Sequence, residues 1–356
     1  MKILSPALLF SLVCLSAPLC AMDEITPYKF SSTVLEKKNF LNYRVPKSSK
    51  FSIPQHQEND PNITFYMSKP KHKNKFPIVI LCGGSSTENS INSIIHLHRY
   101  FLQEFLDLGV GLITVEQWGV SDDKVNPSRF IQYYTTTQRF LDHKTVINHL
   151  MSNPPTGWNG KFIFVGISEG GALVTRLTTE HPNITLATLN WSGANEWNWR
   201  EELWEFLEGM RNSMLSQLPW HVRIRGKLPR WFPYSIDIRL PKTRDEFDQI
   251  MNQTLKNPTY KKQFVSMTYK YHADMLTWPK NDYQKIKSPY LLVAGAKDTL
   301  IKSSDDFARA AQKAGVKITY LRVPDMDHYV RRRSDILDKS FNWLRDIIKD
   351  EPKINS

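Results

Sequence analysis

A glycine-flanked serine stands where an apolar run ends near the middle of the chain. The run covers residues 162–165 and consists of aromatic and β-branched side chains, as in a strand buried on both faces of a parallel sheet. It leads into Gly-Ile-Ser-Glu-Gly at 166–170, and helix-forming residues follow at 172–177. In a G-x-S-x-G turn between a strand and a helix, the serine has a strained backbone and its neighbours must be small. The segment predicts a nucleophilic Ser168, with an ordinary Ser-Gly turn as the alternative.

Strand and helix patterns alternate along most of the chain. Such alternation is typical of right-handed βαβ units and a mostly parallel sheet. An antiparallel pair of strands is predicted at 50–54 and 63–67. Further strands are predicted at 76–81, 110–115, 184–189, 290–294 and 318–323, and helices at 91–105, 130–151, 304–314 and 335–349. We therefore expect an α/β fold with a central sheet of about eight strands flanked by helices.

The alternation breaks between residues 195 and 285, which are rich in tryptophan, arginine and short helical stretches. We interpret 195–285 as a helical lid inserted between late strands, which divides the α/β domain into the parts 22–194 and 286–356. The basic and aromatic stretch 221–244 suits an apolar acyl group with an anionic head, or an anionic membrane surface. The alternative is a structural cap whose tryptophans form its own core.

The first 21 residues have the pattern of a secretory signal peptide. A basic start, a short apolar core and a small-residue region end at Ala21, after which cleavage is expected. The protein is therefore predicted to be exported, into a periplasm or out of the cell. Lipid anchoring at Cys20 is a weaker alternative, because Leu19 and Ala17 fit a lipoprotein signal poorly. Removal of the signal would leave Cys82 as the single cysteine, so no disulfide framework is expected.

The net charge and the sequence motifs indicate which partners and cofactors are expected. The formal net charge is +12, which is compatible with attraction to an anionic membrane or polymer and equally with a basic surface that has no such partner. The lysine-rich stretch 69–75 lacks the interleaved aromatic residues of a nucleic-acid site, so no nucleic-acid partner is expected. No HExxH motif and no glycine-rich phosphate loop is present, so we expect no metal and no cofactor.

A serine hydroxyl becomes a useful nucleophile when a base takes its proton and a carboxylate orients that base. Of the ten histidines, His328 lies in a loop directly after a predicted strand, at 318–323. Asp298 follows the preceding predicted strand, at 290–294. Glu196 follows an earlier strand and is the alternative acid.

The chain order Ser168, Asp298, His328 resembles that of the α/β-hydrolase-fold serine hydrolases, and the likeness covers roughly residues 50–350. The resemblance implies that Ser168 is the nucleophile, His328 the general base and Asp298 the acid. The fold class implied is the α/β-hydrolase fold.

The same resemblance implies an oxyanion hole. One donor would be the amide of Glu169, and the second would come from the loop after the third strand, at Gly84 or Ser85. Cys82 occupies the place where many relatives have histidine before the glycines, which leaves the second donor open between the two residues.

The expected function is hydrolysis of carboxylic esters, lipid esters included, through an acyl-enzyme. The expected partner is a small-molecule or lipid ester. A serine peptidase or amidase on the same three residues is one alternative. A catalytically silent α/β-hydrolase that binds lipid or an anionic surface is another.

Overall fold

The computed structural model describes residues 48–54, 62–71, 74–121, 124–193, 195–216 and 240–350. The predicted signal peptide and most of the basic stretch 221–244 lie outside these residues. The described chain divides into two compact units. One unit consists of residues 197–279, and the other is formed by the residues on either side of that interval.

A single eight-stranded sheet organises the larger unit, with the order β1-β2-β4-β3-β5-β6-β7-β8. Strands β3 to β8 run parallel, and β2 pairs antiparallel with both β1 and β4. The prediction of a mostly parallel α/β sheet is therefore confirmed. The strands are β1 (Ser49–Ile53), β2 (Ile63–Ser68), β3 (Phe76–Cys82), β4 (Gly111–Val115), β5 (Trp158–Ile167), β6 (Thr185–Trp191), β7 (Tyr290–Gly295) and β8 (Ile318–Val323).

The helices follow the strands in alternation, apart from those of the smaller unit. Within the described ranges, no helix combines the length and apolarity needed to span a bilayer. Two-stranded ribbons pair Val120–Ser121 with Lys124–Val125 and Gln263–Phe264 with Met267–Thr268. The helices are α1 (Ile95–Asp107), α2 (Pro127–Tyr133), α3 (Thr136–Ser152), α4 (Glu169–Glu180), α5 (Trp199–Ser216), α6 (Arg244–Lys256), α7 (Tyr269–Leu276), α8 (Ile301–Lys313) and α9 (Ser334–Asp350).

Helices cover both faces of the sheet, because successive side chains of a strand point to opposite sides. Leu291 and Val293 of β7 belong to one core cluster, together with residues of α1 and α9 such as Phe101 and Phe341. Tyr290 and Leu292 of the same strand belong to another cluster, which they share with α8. The sheet is thus the middle layer of three, and its strand ends form an exposed edge where loops can carry a site.

The predicted helices differ from the observed ones in their bounds, most clearly in two cases. The helix predicted over 130–151 is two helices, because Tyr134 and Thr135 have extended backbones and the Thr135 hydroxyl accepts the amide proton of Gln138 to start α3. The helix predicted from residue 91 begins at Ile95. At its start the Glu116 carboxylate accepts hydrogen bonds from the residues just before α1.

The smaller unit, 197–279, falls inside the predicted insertion 195–285 and has its own apolar core around Leu207, Phe247 and Met251. Trp199 donates its indole proton to His272 Nδ1 at 3.0 Å, so this tryptophan is part of that core. Trp191, by contrast, lies in β6 and packs in the sheet core with 1% of its surface exposed. The role of this unit as a lid stays a prediction.

Two arginines of this unit form ion pairs with its carboxylates. Arg244, counted in the basic stretch, donates to Glu201 at 2.8 Å and to Asp248 at 3.1 Å. Arg200 donates to the same Asp248 at 3.0 Å. The positive charges of these two arginines are therefore balanced locally by carboxylates.

Candidate active site

Ser168 stands between the end of β5 and the start of α4, with backbone angles φ 52° and ψ −125°. A positive φ is rare for a serine and costs about 1–3 kcal/mol, so it persists only where the surroundings impose it. The surroundings are tight: a Cβ on Gly166 would lie 2.3 Å from the Gly170 carbonyl oxygen. A Cβ on Gly170 would lie 2.2 Å from the carbonyl oxygen of Cys82. Both glycines of the motif are therefore sterically required, as the sequence predicted.

Ser168, His328 and Asp298 form one line of hydrogen bonds. His328 Nε2 lies 2.9 Å from Ser168 Oγ, and His328 Nδ1 lies 2.7 Å from Asp298 Oδ2. The other oxygen of Asp298 accepts the amide proton of Leu300 at 3.0 Å. The Asp298 side chain is only 3% exposed, whereas that of His328 is 30% exposed. The carboxylate is thus held behind the imidazole, and the imidazole faces the serine.

The electrostatics of the pair favour an ionised Asp298 beside a basic His328. Burial lowers the pKa of His328, but the charge of Asp298, the hydrogen bond to it and the charge of Asp327 raise that pKa more, to a net value above the usual 6.5. Burial raises the pKa of Asp298, but His328 and the Leu300 amide lower it to a net value below its usual range. An imidazole of raised basicity can take a proton from a neighbouring hydroxyl.

The other candidate acid, Glu196, lies in a different network. Its carboxylate accepts hydrogen bonds from the hydroxyl of Tyr283 and from Asn281 Nδ2. Its own amide donates to the hydroxyl of Ser303 at 3.1 Å. The carboxylate that the structure brings to His328 is that of Asp298.

The loop after β3 passes close to the serine. A Cβ on Gly84 would lie 3.2 Å from Ser168 Cβ and 3.8 Å from Ser168 Oγ. The first helical residue after the serine is Glu169, which begins α4. Of the sequence-predicted donors, Gly84 thus lies close to Ser168 and Glu169 directly follows it in the chain, with Ser85 one residue further along the loop. Cys82 is fully buried, and burial raises the pKa of its thiol to about 12, so it stays protonated and inert.

A buried polar group behind the serine was missed by sequence reasoning. Arg139 of α3 donates to the Glu169 carboxylate at 2.8 Å and to the Gly83 carbonyl oxygen at 2.6 Å. The available signal was the position of Arg139 on the apolar face of its helix, one turn before the buried His143. A charged residue at such a position is almost never buried unless it is paired.

Comparison with known proteins identifies similar families and folds. Residues 96–329 match the family described as serine aminopeptidase, S33, and this range contains Ser168, Asp298 and His328. Compared by sequence with curated proteins, the chain has no match.

Several solved structures are similar in fold. A thermostable carboxyl esterase from Bacillus coagulans has a TM-score of 0.55 at 15% identity, and the likeness covers 85% of this chain and 98% of that one. The acylaminoacyl peptidase of Pyrococcus horikoshii has a TM-score of 0.52 at 11% identity, with 89% of this chain and 44% of that one covered. An esterase from Pyrobaculum calidifontis has a TM-score of 0.50 at 14% identity, with 86% of each chain covered. At these identities the likeness establishes a shared fold.

Proposed function

Because this chain belongs to the serine aminopeptidase S33 family of the α/β-hydrolase superfamily, and is therefore a serine hydrolase, we propose that it cleaves carboxylic esters with Ser168, His328 and Asp298. The observation that carries the proposal is the hydrogen-bonded line from Asp298 through His328 to Ser168, with both contacts at 2.9 Å or less. The three side chains have the order and the geometry that acyl transfer through a serine requires.

Each side chain has one role in this mechanism. His328 Nε2 takes the proton of Ser168 Oγ as that oxygen attacks the ester carbonyl carbon. Asp298 holds Nδ1 and stabilises the imidazolium that forms. The imidazolium then gives its proton to the departing alkoxide, which leaves as the alcohol. Water, deprotonated by the same imidazole, then attacks the acyl-enzyme. The imidazolium returns that proton to Ser168 Oγ as the ester bond to the serine breaks, and the carboxylic acid is released.

The negative charge that develops on the carbonyl oxygen needs donors that are already in place. We assign the amide of Glu169 as the first donor and an amide of the β3 loop, at Gly84 or Ser85, as the second. Support comes from the closeness of the Gly84 backbone to Ser168 and from the position of Glu169 at the start of α4.

One carboxylate near the serine, that of Glu169, is already paired and so is not available to an aminoacyl substrate. An aminopeptidase binds the free ammonium group of its substrate, for which a nearby carboxylate is the complementary partner. Glu169 is the carboxylate next to the serine in the chain, and it already pairs with Arg139 at 2.8 Å. Its side chain is 6% exposed, so its charge is buried and is already balanced by that arginine. The carboxyl esterase named above shares the fold of this chain.

The second candidate function is amide hydrolysis on the same three residues. The family description names an aminopeptidase, and the acylaminoacyl peptidase of similar fold is consistent with it. The two functions are separated by matched substrates: p-nitrophenyl esters of increasing acyl length and the corresponding acyl and aminoacyl p-nitroanilides. The ester proposal expects turnover of esters that exceeds that of every anilide. Faster turnover of an aminoacyl anilide than of any ester would establish the peptidase instead.

The proposal includes export of the enzyme. Support comes from the signal-like sequence of residues 1–21. Expression with the native N-terminus, followed by mass spectrometry of the mature protein, should give Met22 as the first residue. A mature protein that begins at Met1 would contradict export by this route, and a lipid-modified Cys20 would establish the anchored alternative.

We also propose that the insertion 195–285 acts as a lid at anionic lipid. Each Lys or Arg near an anionic membrane contributes about 1 kcal/mol, so neutralising Arg223, Arg225, Lys227 and Arg230 should remove roughly 4 kcal/mol of attraction. Vesicle co-sedimentation of the wild type and the quadruple variant, at low and high salt, tests this. Equal binding by both proteins would instead assign the insertion to a structural cap.

A further inference from the structure

The buried guanidinium of Arg139 contacts both segments that carry the proposed oxyanion-hole amides. Its Nη1 lies 2.8 Å from Glu169 Oε1, and its Nη2 lies 2.6 Å from the carbonyl oxygen of Gly83. Glu169 belongs to the helix that starts behind the serine, and Gly83 belongs to the loop after β3. One planar side chain therefore connects two segments that are distant in sequence.

The contact with Gly83 has a consequence for the next amide. The carbonyl of Gly83 and the N–H of Gly84 belong to the same planar trans peptide unit, so they point in opposite directions. A guanidinium that holds the carbonyl oxygen at 2.6 Å therefore also fixes the direction of the Gly84 N–H. Gly84 is the loop residue whose backbone approaches Ser168.

Tyr134 forms a second connection between the same two segments. Its hydroxyl donates to Glu169 Oε2 at 3.1 Å and accepts the amide proton of Ser86 at 3.0 Å. Burial and the charge of Glu169 raise the pKa of Tyr134, so the phenol stays neutral and keeps its proton for Glu169. Thr136 adds a donor to the other oxygen of the carboxylate, at 3.0 Å.

Burial of the Arg139–Glu169 ion pair has a high cost in desolvation free energy. The two side chains are 8% and 6% exposed, so both charges have lost most of their hydration. Replacing such a buried pair with well-packed apolar residues is often neutral or stabilising, so stability alone gives little reason to keep it. A function that needs the two segments in one fixed orientation gives a reason to keep the pair, since buried charge pairs can fix one arrangement of the chain.

We propose that Arg139 is a positioning residue, which aims the amides of Gly84 and Glu169 at the oxygen of the tetrahedral intermediate. This inference rests on the proposed serine-hydrolase function and adds to it. It also decides between the two candidate loop donors, because the peptide unit that Arg139 holds is the one that ends in the Gly84 amide.

The test uses the full-length mature enzyme with Arg139→Lys. Lysine keeps the positive charge beside Glu169, but its single ammonium cannot bridge two acceptors in the fixed geometry of a guanidinium. The matched control is Arg176→Lys in α4, an arginine that pairs with Glu180 at 3.0 Å and is 37% exposed. Active-site titration with a fluorophosphonate and thermal unfolding establish, for each protein, the fraction that is folded and competent.

The expected result is a split between binding and the chemical step. In Arg139→Lys, kcat per titrated site falls about 10- to 100-fold and KM changes by less than about 2-fold, because oriented donors act in the transition state. The inhibition constant of an alkyl trifluoromethyl ketone rises by the same factor as kcat falls. This inhibitor is used because its adduct with serine carries the oxyanion. Arg176→Lys retains wild-type values for all three quantities.

Tyr134→Phe is the second variant, for the case in which Arg139→Lys does not fold. It removes one hydroxyl and leaves no unpaired charge, and a smaller change of the same kind is expected. A folded variant with wild-type kcat and wild-type ketone inhibition would overturn the role of Arg139. A folded variant whose loss of activity is fully matched by a loss of titratable sites would also overturn it. A wild type that neither hydrolyses esters nor binds the ketone would overturn the proposed function and this inference with it.

Discussion

His328 Nε2 lies 2.9 Å from Ser168 Oγ, although 160 residues separate the two in the chain. Ser168 follows β5 and His328 follows β8, with β6 and β7 between those strands in the sheet. Because β5 to β8 run parallel, their carboxyl ends share one edge, and loops from distant parts of the chain meet there. The order and direction of the strands therefore bring the two side chains together. The role of each side chain can be tested by its own substitution.

The pH dependence should reveal a histidine of raised pKa. Only the neutral imidazole can accept the serine proton, so kcat/KM should fall as the pH drops through the pKa of His328. Burial lowers that pKa, but Asp298 and Asp327 raise it more, so the midpoint of the acid limb should lie above the usual 6.5. The measurement is kcat/KM for a small ester between pH 5 and 9, a range of about 2 units around neutrality.

Asp327→Asn supplies the matched comparison for this profile. Asp327 contributes to the raised pKa through its charge and pairs with Arg332 at 3.2 Å. The variant should move the acid limb to lower pH while leaving the plateau of kcat/KM near the wild-type value. An acid limb centred well below 6.5 in the wild type would show that the titrating group is not His328 in this environment.

Asp298→Asn should be far more costly than Glu196→Gln. An asparagine would favour the wrong tautomer of His328, and the same change in a serine-protease triad costs on the order of 10⁴-fold in kcat. Glu196 binds Tyr283 and Asn281, so its substitution should change kcat by less than about 3-fold. Steady-state kinetics of both variants decides between the two acids. If Glu196→Gln lost most of its activity while Asp298→Asn kept it, Glu196 and not Asp298 would be the acid.

Gly170→Ala should destabilise the fold by about 3 kcal/mol or more, because the new Cβ would lie 2.2 Å from backbone that cannot move away cheaply. Gly160→Ala is the control. Its Cβ would meet nothing within 4 Å, so it incurs only the cost of a positive φ, about 1–2 kcal/mol. Urea unfolding of both variants gives the two free energies. Equal losses of unfolding free energy in the two variants would show that a Cβ at residue 170 does not clash with the end of β3.

Much of the fold and the site follows from local patterns in the sequence. The turn at Ser168 is predictable because glycines on both sides of a serine indicate a backbone that leaves no room for a Cβ. Asp298 and His328 are predictable because each directly follows a buried strand, where parallel topology collects side chains at one edge. The eight-stranded, mostly parallel sheet follows from the same alternation.

The remainder depends on contacts that a linear pattern does not contain. The break at Tyr134 and Thr135 lies inside a continuous amphipathic pattern, and it brings the Tyr134 hydroxyl to Glu169, 35 residues away. Arg139 has no motif around it, and its partner is 30 residues away. Trp191 lies beyond the end of the strand predicted at 184–189 but is a core residue of β6, and the ends of strands cannot be located to the residue from composition.

The central claim, that Ser168 is the nucleophile, is tested most directly by covalent labelling. The wild type, Ser168→Ala and the control Ser152→Ala, which changes an exposed serine at the end of α3, are treated with a fluorophosphonate probe. The adducts are then located by mass spectrometry. We predict stoichiometric labelling at Ser168 in the wild type and the control, and none in a folded Ser168→Ala. Labelling that persists in Ser168→Ala, or an adduct on another residue of the wild type, would contradict the account.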